Sequence, residues 1–175
     1  MPYGPASDAV EDALFGEIRV RSYLGTGRVE VEGPAVPPVT VHRAPGAERG
    51  GRVAIGVRRA GRLAVTVDGE PASVSPGRGP RRRAVRVTHR GSRYRLKPRR
   101  LRRGRSLLTR DGHRLGHFRS DGRRAPAEWS GGASVSARDA AVGYALAAAF
   151  GRWEEPWWSK AFDRAGDLLD AVFSG

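Results

Sequence analysis

Apolar residues alternate with polar ones over most of the chain, in short runs separated by turn signals. The alternation begins after Glu17, where Ile18 and Val20 are interleaved with Arg19 and Arg21. Further runs follow at Val29/Val31, Val39/Val41, Val53/Ile55/Val57, Leu63/Val65/Val67, Val85/Val87, Tyr94/Leu96 and Leu115/Phe118. A period of two is typical of strands with one buried face. The pattern therefore predicts about ten short strands.

Glycine-containing turn signals lie between these runs. Asp-Gly pairs occur at residues 68–69, 111–112 and 121–122, and other glycine turns at 25–27, 60–61 and 91–92. An Asp-Gly pair suits a two-residue hairpin loop, because both central residues need positive φ. Proline-rich stretches at 33–38, 45–51 and 76–80 are interpreted as loops within the same domain. Many short strands joined by close turns favour a sandwich or a barrel.

Two helices are predicted at opposite ends of this strand region. Residues 6–15 can form a short helix capped by Ser7 or Asp8. Residues 139–150 follow Ser136 at the spacing of a capping box and are apolar after Asp139. A helix without a polar face that is too short to span a bilayer must be enclosed by protein. We expect this second helix to be buried.

The last residues predict a further, amphipathic helix that begins near Pro156. Its aromatic side chains form a candidate partner-binding surface: Trp153, Trp157, Trp158 and Phe162. Tryptophans at a helix start also suit a membrane interface, but such helices are usually basic on their polar face. This polar face has two basic and three acidic residues. Packing on the domain or docking to a protein partner is therefore favoured.

A run of strands followed by one wholly apolar helix resembles the tubby-like superfamily, which includes the tubby C-terminal domain, LURP-one-related proteins and phospholipid scramblases. Residues 107–118 resemble that family's hairpin, an apolar strand, an Asp-Gly turn and a strand containing glycine. Residues 139–150 resemble its central helix, which opens with an acid and stays apolar. Residues 94–96 look like the strand two before the hairpin. The resemblance covers roughly residues 17–151.

This resemblance implies a mainly β fold: a closed antiparallel barrel of about 10–12 strands around a buried hydrophobic helix. We expect an N-terminal arm or short helix at residues 1–16, a barrel at 17–151 with its central helix at 138–150, and an amphipathic helix at 152–175. The family is non-enzymatic. Phosphoinositide binding is known for tubby, but no stretch of this chain carries that site over.

Composition narrows the possible classes of protein. The 175 residues suit one domain, and the lack of cysteine excludes disulfides and thiolate chemistry. Residues 1–16 contain three acids and do not resemble a secretory signal. The longest uncharged apolar stretch, residues 140–151, is too short for a transmembrane helix. These features predict a cytoplasmic protein, with peripheral contact to a membrane as an option.

The net charge of +14 comes from one part of the chain. Residues 78–105 contain 14 basic residues and no acid, whereas the rest of the chain has 18 of each sign. Arginine outnumbers lysine 30 to 2, which indicates a coding bias but does not explain the missing acids. The segment is therefore interpreted as an anion-binding surface, with a merely solvated face as the alternative.

The residues at 84–97 predict a hairpin with Tyr94 facing inward and its cations facing solvent. The candidate anion-binding residues of the whole segment are Arg81, Arg82, Arg83, Arg86, Arg90, Arg93, Arg95, Lys97, Arg99, Arg100, Arg102, Arg103 and Arg105. Guanidinium groups suit phosphate geometry. An anionic phospholipid surface, a nucleic acid and an acidic protein remain possible ligands. The inward tyrosine leaves no stacking aromatic for nucleotide bases.

No catalytic motif is present among the nucleophile-elbow, zinc-protease and P-loop patterns. His113 and His117 would share one strand face but have no third ligand beside them. We therefore expect that the protein is not an enzyme and that it binds neither a metal ion nor a cofactor. The predicted function is non-catalytic binding of an anionic surface, with membrane phospholipid headgroups preferred. The alternatives are an adaptor that uses the tryptophan-bearing helix and non-specific nucleic-acid binding.

Overall fold

The chain forms one antiparallel sheet and a single helix within the residues that the computed structural model describes, 6–23, 25–44, 55, 63–76, 84–98, 105–119 and 126–150. The strands are β1 (Ala6–Asp12), β2 (Gly16–Tyr23), β3 (Arg28–Gly33), β4 (Val36–Arg43), β5 (Leu63–Val67), β6 (Glu70–Pro76), β7 (Val85–His89), β8 (Ser92–Pro98), β9 (Arg105–Arg110), β10 (His113–Arg119) and β11 (Glu128–Trp129). The helix is α1 (Ala137–Phe150). Each strand pairs with the next along the chain, so the sheet is an uninterrupted meander.

The predicted hairpin turns are confirmed at Asp68–Gly69 and Asp111–Gly112. Both residues of each turn have positive φ, 54° and 76° in the first and 51° and 87° in the second. The turn between β7 and β8 uses Arg90 and Gly91, with φ of 47° and 80°. Two-residue loops of this geometry match the twist of the strands that they join. Short turns therefore fix the register of β5–β6, β7–β8 and β9–β10.

The alternating apolar side chains form one core around α1. The pairs Ile18/Val20, Val29/Val31, Val39/Val41, Val65/Val67, Val85/Val87 and Tyr94/Leu96 are all at most 3% exposed, as are Ile55, Leu108, Leu115 and Phe118. The helix contacts β2, β3 and β4 from one half of the sheet and β8, β9 and β10 from the other. The sheet therefore bends around the helix, which confirms the predicted burial of residues 140–150, with only Ala148 half-buried.

A capping box starts α1 as the sequence predicts. The backbone N–H of Ser136 donates to Asp139 Oδ2 at 2.8 Å, and the N–H of Asp139 donates to Ser136 Oγ at 3.2 Å. These two bonds satisfy donors that a helix N-terminus otherwise leaves without partners. Aspartate thus serves in place of the more common glutamate.

Residues 6–15 were expected to form a helix, and that expectation is wrong. Residues 6–12 form β1, paired with β2 so that Val10 lies opposite Ile18. The carboxylate of Asp12 accepts the N–H groups of Leu14 at 2.9 Å and Phe15 at 3.3 Å. A side chain that bonds to nearby backbone groups stabilises a turn at the expense of a helix. The chain therefore reverses after Asp12 and β1 joins the sheet.

The expected closed barrel is also corrected. Within the described residues, β1 and β11 are not hydrogen-bonded to each other, so the sheet has two edges. β11 contains two residues and offers few backbone groups to a neighbouring strand. Side chains join the edges instead: the indole Nε1 of Trp129 donates to both carboxylate oxygens of Asp12 at 3.1 Å. The sheet therefore encloses the helix although backbone hydrogen bonds do not join its two edges.

Two smaller expectations concern proline-rich and terminal segments. The stretch 33–38 is not a loop throughout, because β4 begins at Val36 and includes Pro37 and Pro38. Pro76 likewise ends β6. The loop predicted at 45–51, the turns at 60–61 and 121–122, and the amphipathic helix at 152–175 lie outside the described residues.

Replacing Gly143 by alanine is expected to lower the free energy of unfolding by about 1–3 kcal/mol, and leucine by more. A Cβ atom at this position would overlap the ring of Phe118 and lie 2.8 Å from Leu108 Cδ2. Chemical denaturation would measure the loss. Gly131→Ala is the matched control, since a Cβ there meets nothing within 4 Å. Equal stability of the two variants would contradict the tight packing of α1 against β9 and β10.

Candidate anion-binding face

The hairpin of β7 and β8 forms as predicted, with its apolar side chains against the core. Val85, Val87, Tyr94 and Leu96 are at most 2% exposed. The intervening cations lie on the opposite face of the strands, which is the outer face of the sheet. Arg93 and Lys97 are exposed there, whereas Arg86 and Arg95 are half-buried.

Six of the candidate anion-binding residues lie in the described part of the chain: Arg86, Arg90, Arg93, Arg95, Lys97 and Arg105. The others lie outside it, namely Arg81, Arg82, Arg83, Arg99, Arg100, Arg102 and Arg103. The aromatic candidates Trp153, Trp157, Trp158 and Phe162 also lie outside the described residues. The described part of the candidate site therefore lies on strands β7–β9.

Acids that are distant in sequence neutralise part of this segment. Arg90 forms an ion pair with Glu70, and Arg105 Nη1 lies 2.8 Å from Glu128 Oε2. The hydrogen bond from Arg90 lowers the pKa of Glu70 below its usual value. Arg93 has a looser contact, with Nε 3.9 Å from Asp111 Oδ1. The acid-free segment is thus less uniformly cationic in the fold than along the chain.

Four cations of the segment lie side by side on the outer face. Arg86 lies directly opposite Arg95, with Ser75 and Thr109 on the flanking strands at the same level. Among the described residues, neither Arg86 nor Lys97 has an acidic partner. Like charges directly opposite each other on neighbouring strands are destabilising. We call Arg86, Arg93, Arg95 and Lys97 the cationic face.

The other half of the sheet has the opposite arrangement. Arg19 lies opposite Glu32 and Arg21 opposite Glu30 across β2 and β3. Arg21 Nη2 is 2.7 Å from Glu32 Oε1, and Arg19 Nη2 is 2.8 Å from Glu17 Oε1. One sheet therefore has charge-matched strands at β2–β3 and like-charged strands at β7–β8. General arginine richness does not produce that difference.

Arg95 differs from the solvent-facing side chain that the sequence predicts. Its Nε and Nη2 atoms are buried, although the side chain lies on the outer face. β8 lies between β7 and β9, so Arg95 has the side chains of Arg86 and Thr109 on either side. Crowding by these neighbours explains its partial burial. Arg86, Arg93 and Lys97 are therefore better choices for substitution.

A buried polar cluster that sequence reasoning missed lies beneath the cationic face. Asp139 is fully buried and accepts the hydroxyl of Tyr94 at 3.0 Å and a guanidinium N–H of Arg110. Arg110 also donates to the carbonyl of Ser134 at 3.2 Å. The signal in the sequence is an acid at the start of an otherwise apolar helix. The cluster holds the N-terminus of α1 against β8 and β9.

Alkaline pH is expected to destabilise the fold through two buried tyrosines. Burial, helped by the charge of Asp139, raises the pKa of Tyr94 to about 12, and burial raises that of Tyr144 as well. The folded state therefore keeps phenolic protons that the unfolded chain loses above about pH 10. The contribution of these tyrosines to the free energy of unfolding is therefore fully present below about pH 10 and is lost as the pH rises through 12. Denaturant titrations should show a slope of about 1.4 kcal/mol per pH unit for each tyrosine. Tyr94→Phe should make the slope shallower, and an unchanged slope would contradict the burial of this phenol.

The described residues show no grouping suited to metal binding. They contain no cluster of three or more histidine, cysteine, aspartate or glutamate side chains that could hold a metal ion. His113 is exposed and His117 is half-buried on β10. The helix in the described part of the chain is not long enough to cross a membrane.

Comparison of the chain with protein-family models, with curated proteins and with solved structures finds no match.

Proposed function

We propose that the protein is a non-catalytic binding protein whose cationic face engages anionic phospholipid headgroups at a membrane surface. The observation that carries the proposal is the register of β7 and β8, which sets Arg86 directly opposite Arg95. Arg86 and Lys97 lack acidic partners among the described residues. An anionic ligand would supply the partners that these two cations lack.

The expected strength follows from the number of cations. A basic residue near an anionic lipid surface contributes about 1 kcal/mol. Arg86, Arg93 and Lys97 would then contribute about 3 kcal/mol, which is a weak and salt-sensitive attraction. The candidate arginines at 81–83 and 99–103 adjoin these strands in the sequence and would add to it. A binding free energy of this size suits reversible binding at a membrane surface.

Two further considerations favour lipid over nucleic acid. Proteins that hold single-stranded nucleic acid combine cations with exposed aromatic side chains on which bases stack. On β7 and β8 the one aromatic residue is Tyr94, and its side chain is buried against α1. The resemblance to the tubby-like superfamily, which includes phospholipid scramblases, points in the same direction.

Sedimentation with vesicles tests the proposal. The protein should bind vesicles of phosphatidylcholine mixed with phosphatidylserine at low salt and should not bind pure phosphatidylcholine. Replacing Arg86, Arg93 and Lys97 by glutamine should weaken binding by about 100-fold or more, since about 1 kcal/mol is lost per cation. Arg19, Arg21 and Arg28 are the matched control, because they form ion pairs with Glu17, Glu30 and Glu32 and their replacement changes the net charge equally.

The outcomes separate the possible ligands. Binding to anionic vesicles that the first triple replacement weakens and the control triple does not would support the proposal. Tighter binding to a DNA or RNA duplex than to anionic vesicles at the same salt would replace lipid by nucleic acid as the ligand. Failure to bind any anionic vesicle at low salt would overturn the proposal.

A further inference from the structure

The shape of the sheet limits how the cationic face can meet a ligand. The helix contacts β2–β4 and β8–β10, so it lies on the concave side of the bent sheet. The cationic face lies on the other side of β7 and β8 and is therefore convex. Sites that select one small molecule are concave and surround most of the ligand. The strand surface by itself can touch headgroups but cannot enclose one.

The cations are spread along and across the strands at regular intervals. Arg93, Arg95 and Lys97 alternate along β8, so successive cations are separated by two residues, or about 6.6–6.8 Å. Arg86 lies on the neighbouring strand, about 5 Å from Arg95 between backbone positions. Such spacing distributes positive charge over a surface and does not concentrate it at one point. Several headgroups, each with one negative charge, would be needed to match it.

The residues between the cations are small and polar. Ser73 and Ser75 on β6 and Thr88 on β7 occupy the outer face, and all three are exposed. In the described part of the chain, the one exposed large hydrophobic residue is Leu14, in the turn between β1 and β2. Leu107 on β9 lies opposite Lys97 on the outer face but is half-buried, so the face has no exposed large apolar side chain for insertion among acyl chains. Its attraction to a membrane is electrostatic.

From these three observations we infer that the cationic face responds to the surface density of singly charged anionic phospholipid and does not select a particular headgroup. The inference rests on the proposed lipid binding and specifies its ligand. Binding should rise steeply with the anionic fraction, because several headgroups must be close together for the cations to be matched at once. Phosphatidylserine and phosphatidylglycerol should be equivalent at the same fraction.

Vesicles of matched surface charge test this inference. Three sets would contain phosphatidylserine, phosphatidylglycerol or a smaller fraction of phosphatidylinositol bisphosphate, each in phosphatidylcholine and adjusted to the same zeta potential. We expect affinities within about threefold of one another, because the local potential alone sets the attraction. A series from low to high phosphatidylserine should give a more than proportional increase in bound protein.

Two results would overturn the inference while leaving the proposed function intact. One is a preference of about tenfold or more for any single headgroup at matched potential, which would require stereospecific contacts. The other is bound protein that rises only in proportion to the phosphatidylserine fraction, which would mean that a single headgroup is enough for binding. Absence of binding to all three sets would instead remove the proposed function itself.

Discussion

Replacing Asp139 by asparagine is expected to lower the free energy of unfolding by about 3–5 kcal/mol. The carboxylate is fully buried and accepts three hydrogen bonds, from the hydroxyl of Tyr94, the guanidinium of Arg110 and the backbone N–H of Ser136. Asparagine has one acceptor oxygen in place of two, so it cannot accept all three bonds, and its neutral amide leaves the guanidinium of Arg110 without a counterion. Breaking one side of a buried ion pair is costly because the remaining charge loses its partner.

Glu128→Gln is the matched control for this replacement. Glu128 forms an ion pair with Arg105 of similar chemistry, but its side chain is 50% exposed. Exposed pairs contribute about 0–1 kcal/mol, so this variant should unfold at nearly the wild-type denaturant concentration. Urea titrations of both variants give the comparison. If Asp139→Asn is no less stable than Glu128→Gln, the cluster does not hold α1 in the sheet.

Replacing Asp12 by alanine should have an effect of similar size, about 2–5 kcal/mol. Asp12 is 3% exposed and accepts bonds from Leu14, Phe15, Trp129 and Tyr144, the last at 2.7 Å. The hydroxyl of Tyr144 in turn accepts the N–H of Ala127 at 2.8 Å. Alanine would leave several buried donors without an acceptor, and each unsatisfied buried group costs about 1–3 kcal/mol.

Amide hydrogen exchange would show which strands are destabilised in Asp12→Ala. We expect faster exchange at the two edges of the sheet in Asp12→Ala, in β1 and around Trp129, while the β3–β4 amides stay protected until global unfolding. This contrast follows from the position of Asp12, which joins β1 to the β11 edge through Trp129. Uniform acceleration throughout the sheet would mean that the edges are not joined locally by this side chain.

The alternation of residues predicted most of the sheet because it depends on burial of one strand face. Pairs such as Ile18/Val20 and Val85/Val87 point to a shared core whatever the strand order. The Asp-Gly turns at 68–69 and 111–112 could also be predicted from the sequence, because few other residues tolerate positive φ. The helix at 137–150 was predicted buried for a related reason, since it has no polar face to expose.

Contacts between distant residues could not be read from these local patterns. In residues 6–15 the spacing of Val10, Ala13 and Leu14 also fits a helix. The turn forms instead because the carboxylate of Asp12 accepts backbone hydrogen bonds from the residues that follow it. The sheet edges meet through Asp12 and Trp129, 117 residues apart. The candidate site shows the same limit. The hairpin and its outward cations were predicted, but the pairing of Arg90 with Glu70 and of Arg105 with Glu128 depends on strand register.

The salt dependence of vesicle binding tests the role of the cationic face most directly. Each cation–phosphate contact contributes about 0.7–0.9 to the slope of log affinity against log salt, so contacts by Arg86, Arg93 and Lys97 predict a slope of about −2 to −3. Replacing Arg86, Arg93 and Lys97 by glutamine should flatten the slope by about 2–3 units. Replacing Arg19, Arg21 and Arg28, which already have acidic partners, should change it by less than about one unit. Equal flattening by both triple replacements would show that overall positive charge is responsible, and would contradict a specific role for the β7–β8 strands.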